Sequence, residues 1–399
     1  MDFALSADQV MIKDSVDRFV ADAYSFDART QLARSRDGFS REHWRTFADL
    51  GWLGIAFPEE NGGFGGTPVE TMILMEAFGK GLVLEPFVPA VVLGGSALAF
   101  GGTSEAHRHL LEALIGGDRL LSLAYAEAGG RYDPSAVETR ARREGSDLMI
   151  DGAKLAVPYG AAADTLVVSV RTGGAGTDAD GITLVLVDAD RPGVERRDYR
   201  TVDGQRASDI RFTNVRVPAD AVLGEAGAGL PLLERVLDHG VGALAAEAVG
   251  LMAVMQRMTL DYLKTREQFG VPIGSFQALQ HRAVDMLIQL ELARSIVYFG
   301  TMALVSEDES AAARGKALSA TKVQIARSGR YVGQQAIQLH GGIGMSEEYA
   351  VGHYFKRMSM LELALGDVEH HLRRYVRLGR KMQSEPPAEA VEERVPAGV

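Results

Sequence analysis

The stretch TREQFGVPIGSFQALQHRAVDM, Thr265 to Met286, decides how this chain is read. A helical apolar period carrying Leu251, Met255, Met258 and Tyr262 on one face ends here, and Pro272 and Gly274 make a turn. A new period then carries Ala283, Met286, Leu287, Leu290 and Val297. Arg266 and Phe269 therefore stand at a helix end, and Gln277 lies on the helix that follows. A second stretch belongs with the first: QLHGGIGMSEEYAVGHYFKR, Gln338 to Arg357. It sets Gln338 just ahead of Gly341, Gly342 and Gly344, where backbone can approach a ligand closely. An arginine is a planar fork of donors suited to a pyrophosphate, and exposed N–H groups at a glycine turn suit phosphate oxygens.

Outward from these motifs the helical period covers both ends of the chain. Ser6 is placed to cap a first helix bearing Val10, Ile12, Val16, Phe19 and Val20. The glycine-dense PEENGGFGGTP, Pro58 to Pro68, must be a loop. Between about 120 and 222 the period changes to that of strands: LLSLAYAE, DTLVVSV and ITLVLVDAD are short runs bounded by Gly, Asp and Pro. ARREGSDLMIDG reads as a hairpin around Gly145 and Ser146, and SDIRFTNVRVP closes the region. A third helical face, with Ile325, Gly329, Val332 and Ala336, completes a carboxy-terminal bundle. Its apolar faces are wider than one core needs, which suits subunit packing. The expected domains are 1–119, helical; 120–222, a small β domain; 223–382, a helical bundle; and 383–399, a disordered tail rich in Pro, Glu and Ala. Composition and period alone give a mixed α+β protein.

With 399 residues, 46% hydrophobic and 24% charged, the chain has the profile of a soluble globular protein. A net charge of −11 argues against a nucleic-acid partner. The absence of cysteine excludes disulfides, thiolate nucleophiles and thiolate metal sites. Acidic residues interleaved with apolar ones at the start do not read as a signal peptide. The longest apolar run, Phe87 to Gly102, is broken by Pro89, Gly94 and Gly95 and is shorter than the roughly 20 residues of a bilayer span. A buried helix, no membrane span and a cytoplasmic location are expected.

The two motifs, in this order and in this helical setting, resemble the acyl-CoA dehydrogenase family over nearly the whole chain. That resemblance implies an amino-terminal helical domain, a central β domain and a carboxy-terminal four-helix bundle. It further implies FAD as cofactor, an acyl-CoA substrate and an electron-accepting flavoprotein. In relatives one subunit grips the pyrophosphate and adenine arm of its neighbour's flavin, so a homo- or hetero-oligomer is implied. Carried over, Arg266, Phe269, Gln277, Gln338, Gly341 and Gly342 become cofactor-contacting residues. Within the family the chain looks most like the small subunits of pimeloyl-CoA dehydrogenases, which work beside a large subunit on dicarboxylyl-CoA esters.

Departures accompany the matches. Where relatives carry Thr-Glu-Pro beside the flavin ring, this chain reads Ala126-Glu127-Ala128. Where they carry Trp-Ile-Thr, it reads Ala156-Val157-Pro158, and Pro158 has neither hydroxyl nor N–H to give. Ala126 and Pro158 thus mark the expected ring site. The family's carboxylate base falls on Leu365 or, in a second subgroup, on Gly240, and neither takes a proton. Asp238 and His239 adjoin the bare helix position and are the candidate substitutes, His239 for its titration near neutral pH. Glu247 reads as a structural carboxylate. Glu369, His370 and His371 read as a solvated turn starting a helix, and no metal site is expected there. An oxidase or monooxygenase on the same fold, and a non-catalytic scaffold that clamps the cofactor, are the alternatives.

Overall fold

The structure is a computed structural model that describes residues 4–306 and 308–384. The disordered-tail expectation falls almost wholly on 385–399, outside the described residues. Its first two positions, Gln383 and Ser384, belong instead to the last helix.

The amino-terminal domain holds α1 (Ala7–Ala23), α2 (Phe26–Arg34), α3 (Arg41–Asp49), α4 (Pro68–Gly81), α5 (Ser96–Gly101) and α6 (Glu105–Ile115). A reciprocal capping box starts α1: the Gln9 N–H donates to Ser6 Oγ, and the Ser6 N–H donates to Gln9 Oε1. Val16 and Val20 turn inward, whereas Val10, read with them, is 43% exposed. The apolar run from Phe87 forms a π-helical segment, Val88–Gly95, leading into α5, and nearly all of it is buried.

The β domain holds β1 (Leu121–Ala124), β2 (Arg140–Glu144), β3 (Asp147–Pro158), β4 (Thr165–Arg171), β5 (Ile182–Asp188), β6 (Val194–Arg200), β7 (Arg206–Pro218) and β8 (Val222–Leu223). Its sheet runs β6-β7-β3-β2-β4-β5-β8, with β1 parallel to β4 and β6 at one edge. Gly145 and Ser146 form the two-residue turn joining β2 to β3, with Gly145 at φ +65°.

Three long helices dominate the carboxy-terminal domain: α7 (Leu230–Thr265), α8 (Gln277–Val305) and α9 (Ala311–His340). A short hairpin of β9 (Glu267–Gln268) and β10 (Val271–Pro272) joins α7 to α8. Helices α10 (Ala350–Leu363) and α11 (Val368–Ser384) pack against α9. By length and composition α7 and α8 would each span a bilayer, but the apolar stretch of α7 is 83% buried as a core helix. That of α8 is only 33% buried. Its inner face is Ala283, Met286, Leu290, Ala293 and Val297. Leu287, read with that face, lies instead on an exposed stripe with Val284, Ile288, Leu292 and Phe299.

A buried charge network ties the three domains together. Arg357 on α10 holds Glu247 on α7 in a two-pronged pair at 2.6 and 2.8 Å, and reaches Asp203 of the β6–β7 loop at 2.9 Å. Arg29 on α2 donates to the Asp203 carbonyl at 2.6 Å. Burial opposes the Arg357 charge, yet Glu247 and Asp203 raise its pKa above the ordinary value. Glu247 is the structural carboxylate expected.

Candidate active site

The two positions where a base is expected meet. Gly240 lies on α7 and Leu365 in the connection from α10 to α11, and a Cβ built on Gly240 would stand 2.6 Å from Leu365 Cδ1 and 2.7 Å from Leu93 Cδ2. The connection is firmly held. Leu365 sits at φ +56°, a left-handed conformation that costs a branched side chain energy. Buried Lys322 of α9 donates to the carbonyls of Glu362, Ala364 and Gly366 at 3.1, 2.7 and 2.6 Å. Burial pushes the Lys322 pKa down to about 7, with Asp367 pulling the other way.

His371 Nε2 lies 3.0 Å from the Leu365 carbonyl. Its sequence neighbourhood predicts a solvated turn. Instead it is 1% exposed, and burial, aided by the Lys322 charge, drops its pKa to about 2. That imidazole is neutral and structural.

Asp238 and His239 face different surroundings, because successive helical residues point about 100° apart. Asp238 is buried beside Leu365, where Arg374 Nη1 donates to it at 2.7 Å and Arg314 Nε at 3.4 Å. His239 packs against the Phe100 ring, whose face also carries the Arg235 guanidinium at 3.8 Å. Burial, then Arg235 and Arg314, lowers the His239 pKa to about 3.

The seam between Leu365 and the β domain is closed. Only about 20 Å³ is open among Tyr125, Tyr132, Leu237, Asp238, Leu365 and His370. Arg131 bridges the seam to Asp367 at 3.3 Å, and the Tyr132 ring meets His370 edge-on at 5.7 Å. Beside it, the Ala126 carbonyl accepts the Leu155 N–H at 2.9 Å, and the Pro158 carbonyl accepts Ser122 Oγ–H at 2.6 Å. These backbone groups are spent within the β domain. Glu127 pairs with buried Lys154 at 2.6 Å; burial lowers the Lys154 pKa to about 8, while Glu127 and its hydrogen bond pull upward.

The motif residues gather at the far end of the helical domain. Tyr262, near the end of α7, stacks on His340 at the end of α9 with centroids 4.7 Å apart. That contact brings the Arg266 turn alongside Gly341 and Gly342. Arg266, Phe269, Gln277, Gln338, Gly341 and Gly342 are all exposed. Among the described residues the Arg266 guanidinium makes no hydrogen bond or ion pair, and nothing lies within 4 Å of a Cβ built on Gly341 or Gly342. Phe269 holds φ +56° with 92% of its surface open. The Leu279 and Gln280 N–H groups of α8 bond to the Phe276 carbonyl, but those of Gln277 and Ala278 have no side-chain cap, so among the described residues this end sets open donors beside the unpaired Arg266 guanidinium.

A flavin therefore meets two different fits in this chain. The exposed arginine, glycine turn and uncapped helix start suit a pyrophosphate arm. The expected ring position fits less well, since Pro158 offers no donor, and the separate seam at Leu365 is closed by the Arg131–Asp367 bridge and the Tyr132–His370 contact. Neither contact is legible in the sequence, since Arg131 and Asp367 are 236 residues apart. The tyrosine standing in a glycine-rich loop at Gly129-Gly130-Arg131-Tyr132 was the one available signal.

Comparison with known proteins covers all three domains. Models of the acyl-CoA dehydrogenase N-terminal, middle and C-terminal domains match residues 6–118, 122–215 and 227–378. The probable acyl-CoA dehydrogenase YngJ of Bacillus subtilis is 31% identical over 92% of this chain and 97% of its own length. The mitochondrial 2-methylacyl-CoA dehydrogenase of Solanum tuberosum is 31% identical over 85% of this chain and 82% of its own. Among solved structures, the ChsE4-ChsE5 complex of Mycobacterium tuberculosis superposes with a TM-score of 0.85 at 27% identity, covering 97% of this chain and 100% of that one. Butyryl-CoA dehydrogenase of Megasphaera elsdenii gives 0.85 at 25% identity, covering 96% and 100%. The chain belongs to the acyl-CoA dehydrogenase family of FAD-dependent oxidoreductases.

Proposed function

We propose that this chain is one subunit of a hetero-oligomeric acyl-CoA dehydrogenase and serves it chiefly by holding a partner's cofactor. The observation that carries this reading is the contact of Gly240 with Leu365: both expected base positions converge on one spot, and both are apolar. Arg266, Gln277, Gln338 and the Gly341-Gly342 turn would hold the pyrophosphate and adenine end of a flavin whose ring is seated in a related large subunit. When bound there, FAD supplies hydride acceptance for α,β-dehydrogenation of an acyl-CoA thioester, and an electron-accepting flavoprotein reoxidises it. This chain's residues orient and retain the cofactor.

Asp238 and His239 are the titratable residues beside the bare position. Asp238 is held between two guanidinium groups, those of Arg374 and Arg314, so its carboxylate oxygens are already engaged inside the chain. His239 is turned toward Phe100, away from the Leu365 seam. Both arrangements favour a clamping role over a self-sufficient active site. The dicarboxylyl-CoA substrate class, pimeloyl-CoA among its members, rests on the motif resemblance, and a cytoplasmic location on the residue composition.

The test is anaerobic bleaching of flavin by monocarboxylyl- and dicarboxylyl-CoA esters, on the chain alone and co-purified with a family member encoded beside it. The expected result is no bleaching alone and bleaching in the assembly. Robust bleaching by the chain alone overturns the clamping reading. Loss of that bleaching in His239→Ala or Asp238→Asn would then locate the base.

A further inference from the structure

An arginine-lined cleft opens between the amino-terminal helices and the edge strand β6. Its volume is about 680 Å³, within the roughly 300–1,000 Å³ of small-molecule sites. Arg36, Arg41, Arg196, Arg200 and Arg206 line it, against two carboxylates, Asp37 and Asp198. In a chain of net charge −11, that is a local reversal of sign. None of the residues of the Leu365 seam or of the Arg266 end contributes to it.

The arginines are built in from three segments. Arg196, Asp198 and Arg200 alternate along β6 and so share one face of the strand. Arg206 opens β7 and is fixed by donating to the Ala33 and Ser35 carbonyls at 3.1 and 2.7 Å. Gly38, at φ +77°, makes room for it, since a Cβ there would stand 2.9 Å from Arg206 Cγ. Arg36 and Arg41 come from the α2–α3 connection and the start of α3.

Compensation inside the cleft is incomplete. Asp37 is taken by Arg41 at 2.7 Å, and Asp198 accepts the Ser208 hydroxyl at 2.6 Å. Arg196 reaches only the Gly160 carbonyl, at 3.3 Å. Among the described residues, Arg36 and Arg200 make no ion pair or side-chain hydrogen bond. Arg200 and Arg206 are also directly opposite each other in the β6–β7 ladder, where like charges destabilise a sheet. Burial, and then the Arg200 charge, lower the Arg206 pKa.

We propose that this cleft binds a small phosphorylated molecule, its phosphates seated between Arg36, Arg196 and Arg200. Arginine forks match phosphate oxygens in pairs. An anion there would offset the Arg200–Arg206 repulsion that the fold otherwise leaves standing.

Isothermal titration at low salt, with inorganic pyrophosphate, ADP and coenzyme A as separate probes, tests this. Wild type is expected to bind at least one probe, more weakly as salt is raised. The Arg36→Gln/Arg200→Gln double variant should bind at least tenfold more weakly, while Arg143→Gln, outside the cleft, should bind as wild type does. Pyrophosphate binding as tightly as ADP would mean the site reads phosphate alone; tighter ADP or coenzyme A would mean it reads the nucleotide too. Should the double variant fail to fold, thermal melts of Arg200→Gln take its place. Its melting temperature without ligand is expected above that of wild type, and pyrophosphate should raise it less. No binding by wild type at low salt, equal binding by variant and wild type, or an undiminished phosphate-induced shift in Arg200→Gln overturns the site.

Discussion

Gly240 and Leu365, 125 positions apart in the sequence numbering, touch: a Cβ on the glycine would fall 2.6 Å from the leucine Cδ1. Leu93 Cδ2 stands 2.7 Å away on the other side. Three apolar groups therefore fill the place where two branches of the family are expected to present a carboxylate. Leu365 reaches it from a left-handed backbone that Lys322 and His371 hold in position.

Adding a methyl group here should overpack the seam. Gly240→Ala is expected to destabilise the chain by about 1–3 kcal/mol, the usual penalty for an inserted methylene in a tight core. Leu365→Ala in that background should recover part of the loss, giving a coupling energy of about 0.5 kcal/mol or more in a double-mutant cycle. Urea denaturation of the four proteins measures it. Strictly additive effects would mean the two residues do not share the space.

The cofactor arm makes the second prediction. Arg266→Ala should leave the circular dichroism spectrum unchanged, because the guanidinium has no partner among the described residues. In the co-purified assembly the same change should weaken flavin retention by about 10-fold or more, corresponding to about 1.5–3 kcal/mol for a charged hydrogen bond. Gel filtration with absorbance at the flavin band reads it. Unchanged retention would remove Arg266 from the cofactor site.

Much of this was legible in the sequence, for physical reasons. Helix and strand periods are local, so the helical ends, the strand-rich middle, the Ser6 cap and the Gly145-Ser146 turn are legible from residues a few positions apart, while their order as three domains is what the family resemblance implies. The Arg266 and Gly341 motifs were legible because turn residues announce themselves, and the stacking of Tyr262 on His340 then sets them side by side. What escaped is pairing across the chain. The partners of Arg357 lie 110 and 154 residues away, and no period encodes them. Leu287 shares its period with the core face because α8 is apolar on two faces, and periodicity cannot tell a core face from a subunit face. His371 looks solvated in sequence because its neighbours are charged; its burial depends on how the α10–α11 connection folds over it.

That second apolar face of α8 gives the third prediction. Val284, Leu287, Ile288, Leu292 and Phe299 leave an exposed stripe along a helix of 29 residues, larger than isolated exposed side chains would make. Light scattering of the wild-type chain or its assembly should show a dimer or tetramer at micromolar concentration. Leu287→Glu/Leu292→Glu should shift that mass to a monomer while helical content is retained. A wild-type monomer with flavin bound would contradict the expectation.

Lys322 supplies the last prediction, through the loop that carries Leu365. Lys322→Met removes the donor to three buried carbonyls and should cost about 2–4 kcal/mol at pH 7, since each unpaired buried acceptor carries a desolvation penalty of roughly 1–3 kcal/mol and the loop relaxes in part. The pH dependence has a definite sign. The lysine titrates near 7 when folded and near 10.4 when unfolded, approximately. Between those values the unfolded chain binds more protons, so this residue makes stability rise with pH. Below about pH 7 both states are protonated, and the cost of burying the charge is constant. The methionine variant lacks the rise, so its deficit relative to wild type should widen from pH 6.5 to pH 9. Urea midpoints of both proteins at the two values decide the matter: a deficit that stays constant or narrows would mean that Lys322 does not titrate in this window.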